Sequence, residues 1–178
     1  DRVVITQDPS KDESIQVLKS NDRHRGLEYT WCVWLFLSPS SETGVKNVFV
    51  KGDENFASGA SFNLMNGPGM YIESADISGS TTNEYKMHIA MDHIGGTGVT
   101  TGDTDSGRDV IEVESIPIQK WVHVAVRMQN TVLDVYVNGT IAKRHNMEFA
   151  PKQNFNDVVV CGNGGFSGKL SNLRYYSY

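Results

Sequence analysis

Three groups of side chains in this chain could do chemistry. Asp103, Asp105 and Asp109 put three carboxylates into "DHIGGTGVTTGDTDSGRD", the aperiodic Gly- and Thr-rich segment from 92 to 109. Calcium takes carboxylate and carbonyl oxygens from such loops, so these three are the candidate metal ligands, with calcium as the candidate cofactor. A solvated acidic loop explains the same residues, because no bidentate Glu closes the set as it would in an EF-hand. Glu112 and Glu114 stand two positions apart, which on a strand puts both on one face roughly 7 Å apart. Retaining glycosidases hold their two carboxyls about 5 to 5.5 Å apart, and neither a third carboxylate nor a stacking aromatic accompanies this pair. A solvated strand face is the plainer reading. His123, Arg127, Asp134 and Tyr136 form the third group: an aromatic plate with hydrogen-bonding neighbours suits a sugar, whose CH face stacks while its hydroxyls are bonded from the sides.

The stretch that must position the third group is "WVHVAVRMQNTVLDVYVNGTIAKRHNM", from Trp121 to Met147. Val122, Val124, Val126 and Met128 alternate with His123, Ala125 and Arg127, and Leu133, Val135 and Val137 alternate with Asp134 and Tyr136. This is the period of half-buried strands. Gln129 to Thr131 is a hairpin-length connection, and Asn138-Gly139 supplies the two positive-φ positions of a type I′ turn into a third strand at Ile141. With the valines and leucine inward, His123, Arg127, Asp134 and Tyr136 share the outward face. Ordinary cross-strand pairing would place them there too. For His123 a hydrogen bond within the sheet competes with a ligand contact. Asn138-Gly139-Thr140 is also a glycosylation acceptor sequence, although the turn alone accounts for it.

Further strands are expected at Val3–Thr6, Ile15–Leu18, Tyr29–Leu37, Asn47–Lys51, Phe62–Leu64, Lys86–Met91 and Asp109–Val113, with two more in "NFNDVVVC" and "KLSNLRYYSY". Tyr29–Leu37 is apolar on both faces, as in a strand covered on both sides. Gly67-Pro68-Gly69 reads as a sharp turn into Met70–Ile72. No helix longer than one turn and no solenoid repeat is expected.

"WVHVAV", "LDVYVNG" and "GGFSGKLSNLRYYSY", together with "EYTWCVWLFL", "VFVKGD" and "GPGMYI", resemble the laminin G-like or concanavalin A-like jelly-roll family over residues 25 to 178. Thr30 and Trp34 stand in that family's usual places, and His123 matches its common Trp-x-His-Val-Ala position. The resemblance implies an all-β, two-sheet antiparallel jelly-roll sandwich and a domain that binds things. The C-terminal segment "PKQNFNDVVVCGNGGFSGKLSNLRYYSY" also resembles laminin G-like domains encoded by large DNA viruses. The Glu-x-Asp-x-x-Glu run of laminarinase-type hydrolases of this architecture is absent, so no enzyme is expected. Ser171 stands where many relatives carry an Asp, which weakens the analogy for calcium.

With 178 residues, 39% of them hydrophobic, and five prolines, the chain fits one domain with a sizeable core. The net charge of -5, with no Lys/Arg cluster longer than Lys143-Arg144, argues against nucleic acid and anionic membranes as partners. No apolar run approaches the roughly 20 residues of a membrane span, so no membrane insertion is expected. No Gly-x-Ser-x-Gly elbow occurs. Cys32 and Cys161 have no metal-binding spacing; a sandwich could bring them together as a pair, and buried, unpaired thiols are the plainer reading. The chain opens at Asp1 without a signal segment, as a processed product or an excised domain would. The expected role is a non-catalytic binding or adhesion module for glycans or glycosylated partners, extracellular, cell-surface or virion-associated, with calcium assistance as an option. A structural or assembly domain is the alternative, and a glycan hydrolase the third reading.

Overall fold

The computed structural model describes residues 2–3, 27–40, 43–56, 61–74, 85–95 and 107–177. Among them there are eleven strands and no helix. β1 (Arg2–Val3), β11 (Gly168–Tyr176), β2 (Glu28–Leu37), β7 (Trp121–Gln129), β8 (Val132–Val137) and β9 (Thr140–Asn146) form a six-stranded sheet in that order. β10 (Val158–Val160), β3 (Val45–Gly52), β4 (Asn66–Ser74), β5 (Tyr85–Asp92) and β6 (Arg108–Ile116) form a five-stranded sheet. All pairings are antiparallel. The fold is the concanavalin A-like sandwich.

The two-residue alternation builds the core directly. Tyr29, Trp31, Val33, Leu35 and Leu37 of β2, Val122, Val124, Val126 and Met128 of β7 and Leu133 and Val135 of β8 all point inward and are buried. They meet Phe49, Met70, Ile72, Met87 and Ile89 of the other sheet in one continuous cluster. Trp31 sits at its centre, with its ring 5.1 Å from Phe49 and 5.0 Å from Tyr175.

The meander from 121 to 146 follows the alternation, and the Asn138-Gly139 turn has φ of 51° and 81°, the pair that a type I′ turn requires. Elsewhere the structure departs from the pattern. Phe62–Leu64 is not a strand; Asn63 makes a single bridge to Phe56, because its side chain is used to tie the 53–55 loop. Gly67-Pro68-Gly69 is not a turn but part of β4. Pro68 lacks a donor, and it falls where the ladder to β5 has already ended at Gly69↔Ala90 and where the ladder to β3 shifts register between Val50 and Gly52. A proline is tolerated in a strand where no ladder bond is needed. β2 is not covered on both faces: Trp34 on its outer side is 39% exposed. Of the expected strand Val3–Thr6 only Val3 is described, in β1, and Ile15–Leu18 lies outside the described residues. Among the described residues, no helix is long and apolar enough to cross a membrane.

Candidate functional site

The outer face of the six-stranded sheet carries a groove of about 930 Å³ lined by Thr30, Cys32, Trp34, His123, Arg127, Asn138, Asn172, Arg174 and Tyr176. Register explains why these residues meet. Tyr176, Thr30 and Arg127 lie side by side across β11, β2 and β7. Arg174, Cys32 and Ala125 form the next row, and Ser171, Trp34 and His123 the one after. Same-face rows are roughly 7 Å apart. Thr30, Cys32 and Ala125 are small, so the middle of this face is low, while Arg127, Arg174, Tyr176 and Trp34 rise around it. A groove results from that difference in side-chain size.

β11 contributes only because it is irregular. Leu170 pairs with Leu35 and packs, partly buried, against the core, yet Leu173, three positions later, faces inward too and is fully buried. The bulge between Ser171 and Arg174, with Asn172 at φ 58°, inserts the extra residue that reverses the alternation and turns Arg174 and Tyr176 outward. The Asn172 Oδ1 at the bulge accepts from Arg174 Nε at 2.8 Å, and the Tyr176 hydroxyl accepts from the other end of the same guanidinium at 3.5 Å. At the opposite side the His123 backbone N–H donates to Asn138 Oδ1 at 3.0 Å, and the Asn138 N–H donates to the His123 carbonyl at 2.8 Å. This reciprocal pair fixes the turn beside the groove. The His123 ring packs against Trp34, with centroids 5.0 Å apart and planes at 57°. Phe36 and Trp121 make a similar pair one row further on, at 5.7 Å.

Of the four sheet residues expected to share a face, His123 and Arg127 line the groove. Asp134 and Tyr136 project to the same side on β8 but stand outside the lining. Asp134 is buried, and its two oxygens accept from Arg144 Nε at 2.6 Å and from the terminal guanidinium nitrogen at 2.8 Å. This hydrogen-bonded pairing, opposed by desolvation and helped by Arg127 and the Tyr136 hydroxyl, holds the Asp134 carboxyl below the usual range. Trp34, Asn138, Asn172, Arg174 and Tyr176 complete the groove. Trp34 and Thr30 could have been found by following the even positions of β2, whereas Arg174 and Tyr176 required the bulge.

The expected metal ligands fall differently. Asp103 and Asp105 lie outside the described residues. Asp109 faces His145 Nε2 at 3.0 Å and His93 Nε2 at 3.7 Å, an arrangement that connects β6 to β9 and suits calcium poorly because two of its three groups are nitrogen donors. Among the described residues no group of three or more His, Cys, Asp or Glu could hold a metal ion. Glu112 and Glu114 point outward from the five-stranded sheet. Glu112 approaches His88 Nδ1 at 3.7 Å, and Glu114 approaches Lys86 at 3.7 Å. His88 is buried under Phe62 and contacts Glu73 at 2.7 Å through Nε2. Both cysteines are free and half-buried rather than fully buried, and burial pushes both thiols up.

The sequence profile of the concanavalin A-like lectin/glucanases superfamily matches residues 10–178. No curated protein matches in sequence. Among solved structures, an alginate lyase, AlyC3, is 11% identical with a TM-score of 0.50, covering 84% of this chain and 64% of its own. Domain 4 of an extracellular arabinanase from Geobacillus stearothermophilus, in complex with arabinotriose, is 16% identical with a TM-score of 0.45, covering 90% and 62%. A putative carbohydrate-binding protein from Bacteroides ovatus is 13% identical with a TM-score of 0.48, covering 84% and 37%. The chain thus spans less than two thirds of the length of each. These neighbours include carbohydrate-binding domains and glycan-active enzymes alike, and at such identities they share the fold alone.

Proposed function

The chain belongs to the concanavalin A-like lectin/glucanase superfamily, and on that premise we propose that it is a non-catalytic module binding glycans or glycosylated partners through the outer face of its six-stranded sheet. The observation that carries this reading is Trp34. A tryptophan held at 39% exposure on a sheet face is unburied apolar area, and here it borders a groove whose other walls are donors and acceptors. That combination of one flat apolar surface with converging polar groups is what a sugar ring needs. Carbohydrate-binding domains among the structural neighbours support the same reading.

Among the described residues the groove lining has no Asp or Glu, so the pair of carboxyls used in glycoside hydrolysis has no counterpart among them. His123 and Tyr176 are therefore read as hydrogen-bonding groups. An extracellular or surface location goes with this role.

A glycan array probed with the full chain, with calcium and after chelation, tests the proposal. The expected result is a defined sugar signal that Trp34→Ala removes while the protein stays folded, with the ligand recovered at unchanged length. Shortened ligand would overturn the non-catalytic part. Silence across the array together with self-association would favour an assembly domain instead. Calcium assistance from the 92–109 excursion requires a signal that chelation removes and that Asp103→Asn with Asp105→Asn fails to recover.

A further inference from the structure

The described residues that line the groove include two arginines and no carboxylate in a protein whose net charge is -5, and we propose that its ligand is an acidic oligosaccharide whose carboxylate or sulfate groups are taken by Arg127 and Arg174. The proposal rests on the carbohydrate-binding reading above and narrows it to a chemical class. Among the described residues the lining holds two guanidinium groups and no carboxylate. The acid nearest in register is Asp134, directly opposite Arg127. Both Asp134 oxygens are engaged by Arg144, at 2.6 and 2.8 Å, and among the described residues Arg127 makes no ion pair within 4.0 Å. The carboxylate one row beyond, Glu28, lies outside the lining and accepts from Gln129 at 2.9 Å.

Among the described residues, Arg174 is oriented by neutral groups. Asn172 Oδ1 holds its Nε at 2.8 Å and the Tyr176 hydroxyl sits at 3.5 Å from its terminal nitrogen. Those contacts fix the direction of the guanidinium without cancelling its charge, leaving donors free for a planar anion. A guanidinium fork matches a carboxylate or sulfate with two parallel hydrogen bonds, which a lysine could not supply.

Spacing sets the size of the ligand. Arg127 on β7 and Arg174 on β11 flank β2, so two strand spacings and one same-face step put their Cα atoms roughly 12 Å apart. Two cations at that separation, over a floor of Thr30 and Cys32, fit two anionic groups on one oligosaccharide better than one group on a single sugar. Trp34, one row past Arg174, would stack an adjoining ring. The negative charge of the rest of the chain is screened beyond about 8 Å at physiological salt, so attraction at the groove is local.

The test is calorimetric titration of the full chain with four probes of matched length: oligogalacturonate, its methyl ester, a heparin-derived sulfated oligosaccharide and a neutral gluco-oligosaccharide. The free acid or the sulfated probe should bind about tenfold or more tightly than the ester and the neutral probe, and the two anionic arms show which group supplies the charge. Arg127→Gln and Arg174→Gln should each weaken the anionic probe about tenfold, the usual scale for a charge-assisted pair, with unchanged melting temperature. Arg→Lys at either position should recover only part of that loss. Equal binding of ester and acid, or full affinity in both Arg→Gln variants, would overturn the proposal and leave carbohydrate binding standing. Absence of binding to all four probes and to the glycan array would bring down both.

Discussion

Trp34→Ala removes an aromatic face whose area can be set against both affinity and stability. With 39% of Trp34 exposed and about 250 Å² presented by a whole tryptophan, roughly 100 Å² is within reach of a ligand. At about 25 cal/mol per Å², a sugar ring covering most of that area gains about 2 kcal/mol. Truncation should therefore raise Kd by roughly thirtyfold. The folding side includes the tilted ring pair with His123 at 5.0 Å. Losing that pair costs about 1 kcal/mol, or a fall of roughly 2 to 4 °C in Tm for a chain of this length. Isothermal titration with the strongest sugar from the array gives the first quantity, and calorimetric melting the second. A variant that binds as tightly as the parent would refute the reasoning. So would one that fails to fold, since Trp34 would then be part of the core.

Three further perturbations probe the frame around the groove. Leu35 is fully buried on β2, and Leu35→Ala should cost about 2 to 5 kcal/mol through the cavity it leaves, read as a lower urea midpoint at unchanged slope; a loss under about 1 kcal/mol would mean the two sheets close over the gap. Gly52→Ala places a methyl carbon 1.9 Å from the Met65 carbonyl oxygen, a backbone atom, so a loss of about 2 kcal/mol is expected, and an unchanged Tm would show that the β3–β4 end gives way freely. The Asp134 carboxyl is held below its usual range, first by the hydrogen bonds from Arg144. Its folded pKa is below the unfolded value of about 3.9, so its stabilisation is present above that pH and is lost as the pH falls through the lower folded value. The Tm gap between the parent and Asp134→Asn should be full at neutral pH and shrink on acidification below about pH 4; a gap independent of pH would contradict the pairing.

The sandwich was legible because burial follows a period of two wherever one sheet face is wet. Val122, Val124, Val126 and Met128 and Leu133, Val135 and Val137 read correctly as inward rows, and Asn138-Gly139 as the turn between β8 and β9, since glycine and Asn adopt that backbone at low cost. The groove was only half legible. His123 and Arg127 belong to a regular strand, so their face follows from their neighbours. Arg174 and Tyr176 lie beyond a bulge at Asn172, and an inserted residue reverses every later side chain without any change in composition. Trp34 was hidden for another reason: an apolar residue lining an open groove has the same hydropathy as one in the core, so β2 looked covered on both sides. Asp134 was assigned to the correct face, but its pairing with Arg144 depends on the β8–β9 register, which shifts between Val135 and Tyr136. Pro68 misled in the opposite sense, because a turn-forming tripeptide reads alike whether or not the ladders on either side have ended.

The most direct test of the groove is an amide and indole NMR titration with the strongest sugar from the array. Three tryptophans give three indole signals. Binding at the outer face of the six-stranded sheet predicts movement of the Trp34 indole together with the amides of His123, Arg127, Asn138, Asn172 and Arg174, while the buried Trp31 indole stays in place. Shifts confined to Glu73, His88 and Glu112 on the opposite sheet, or to the 92–109 excursion, with Trp34 unmoved, would contradict it.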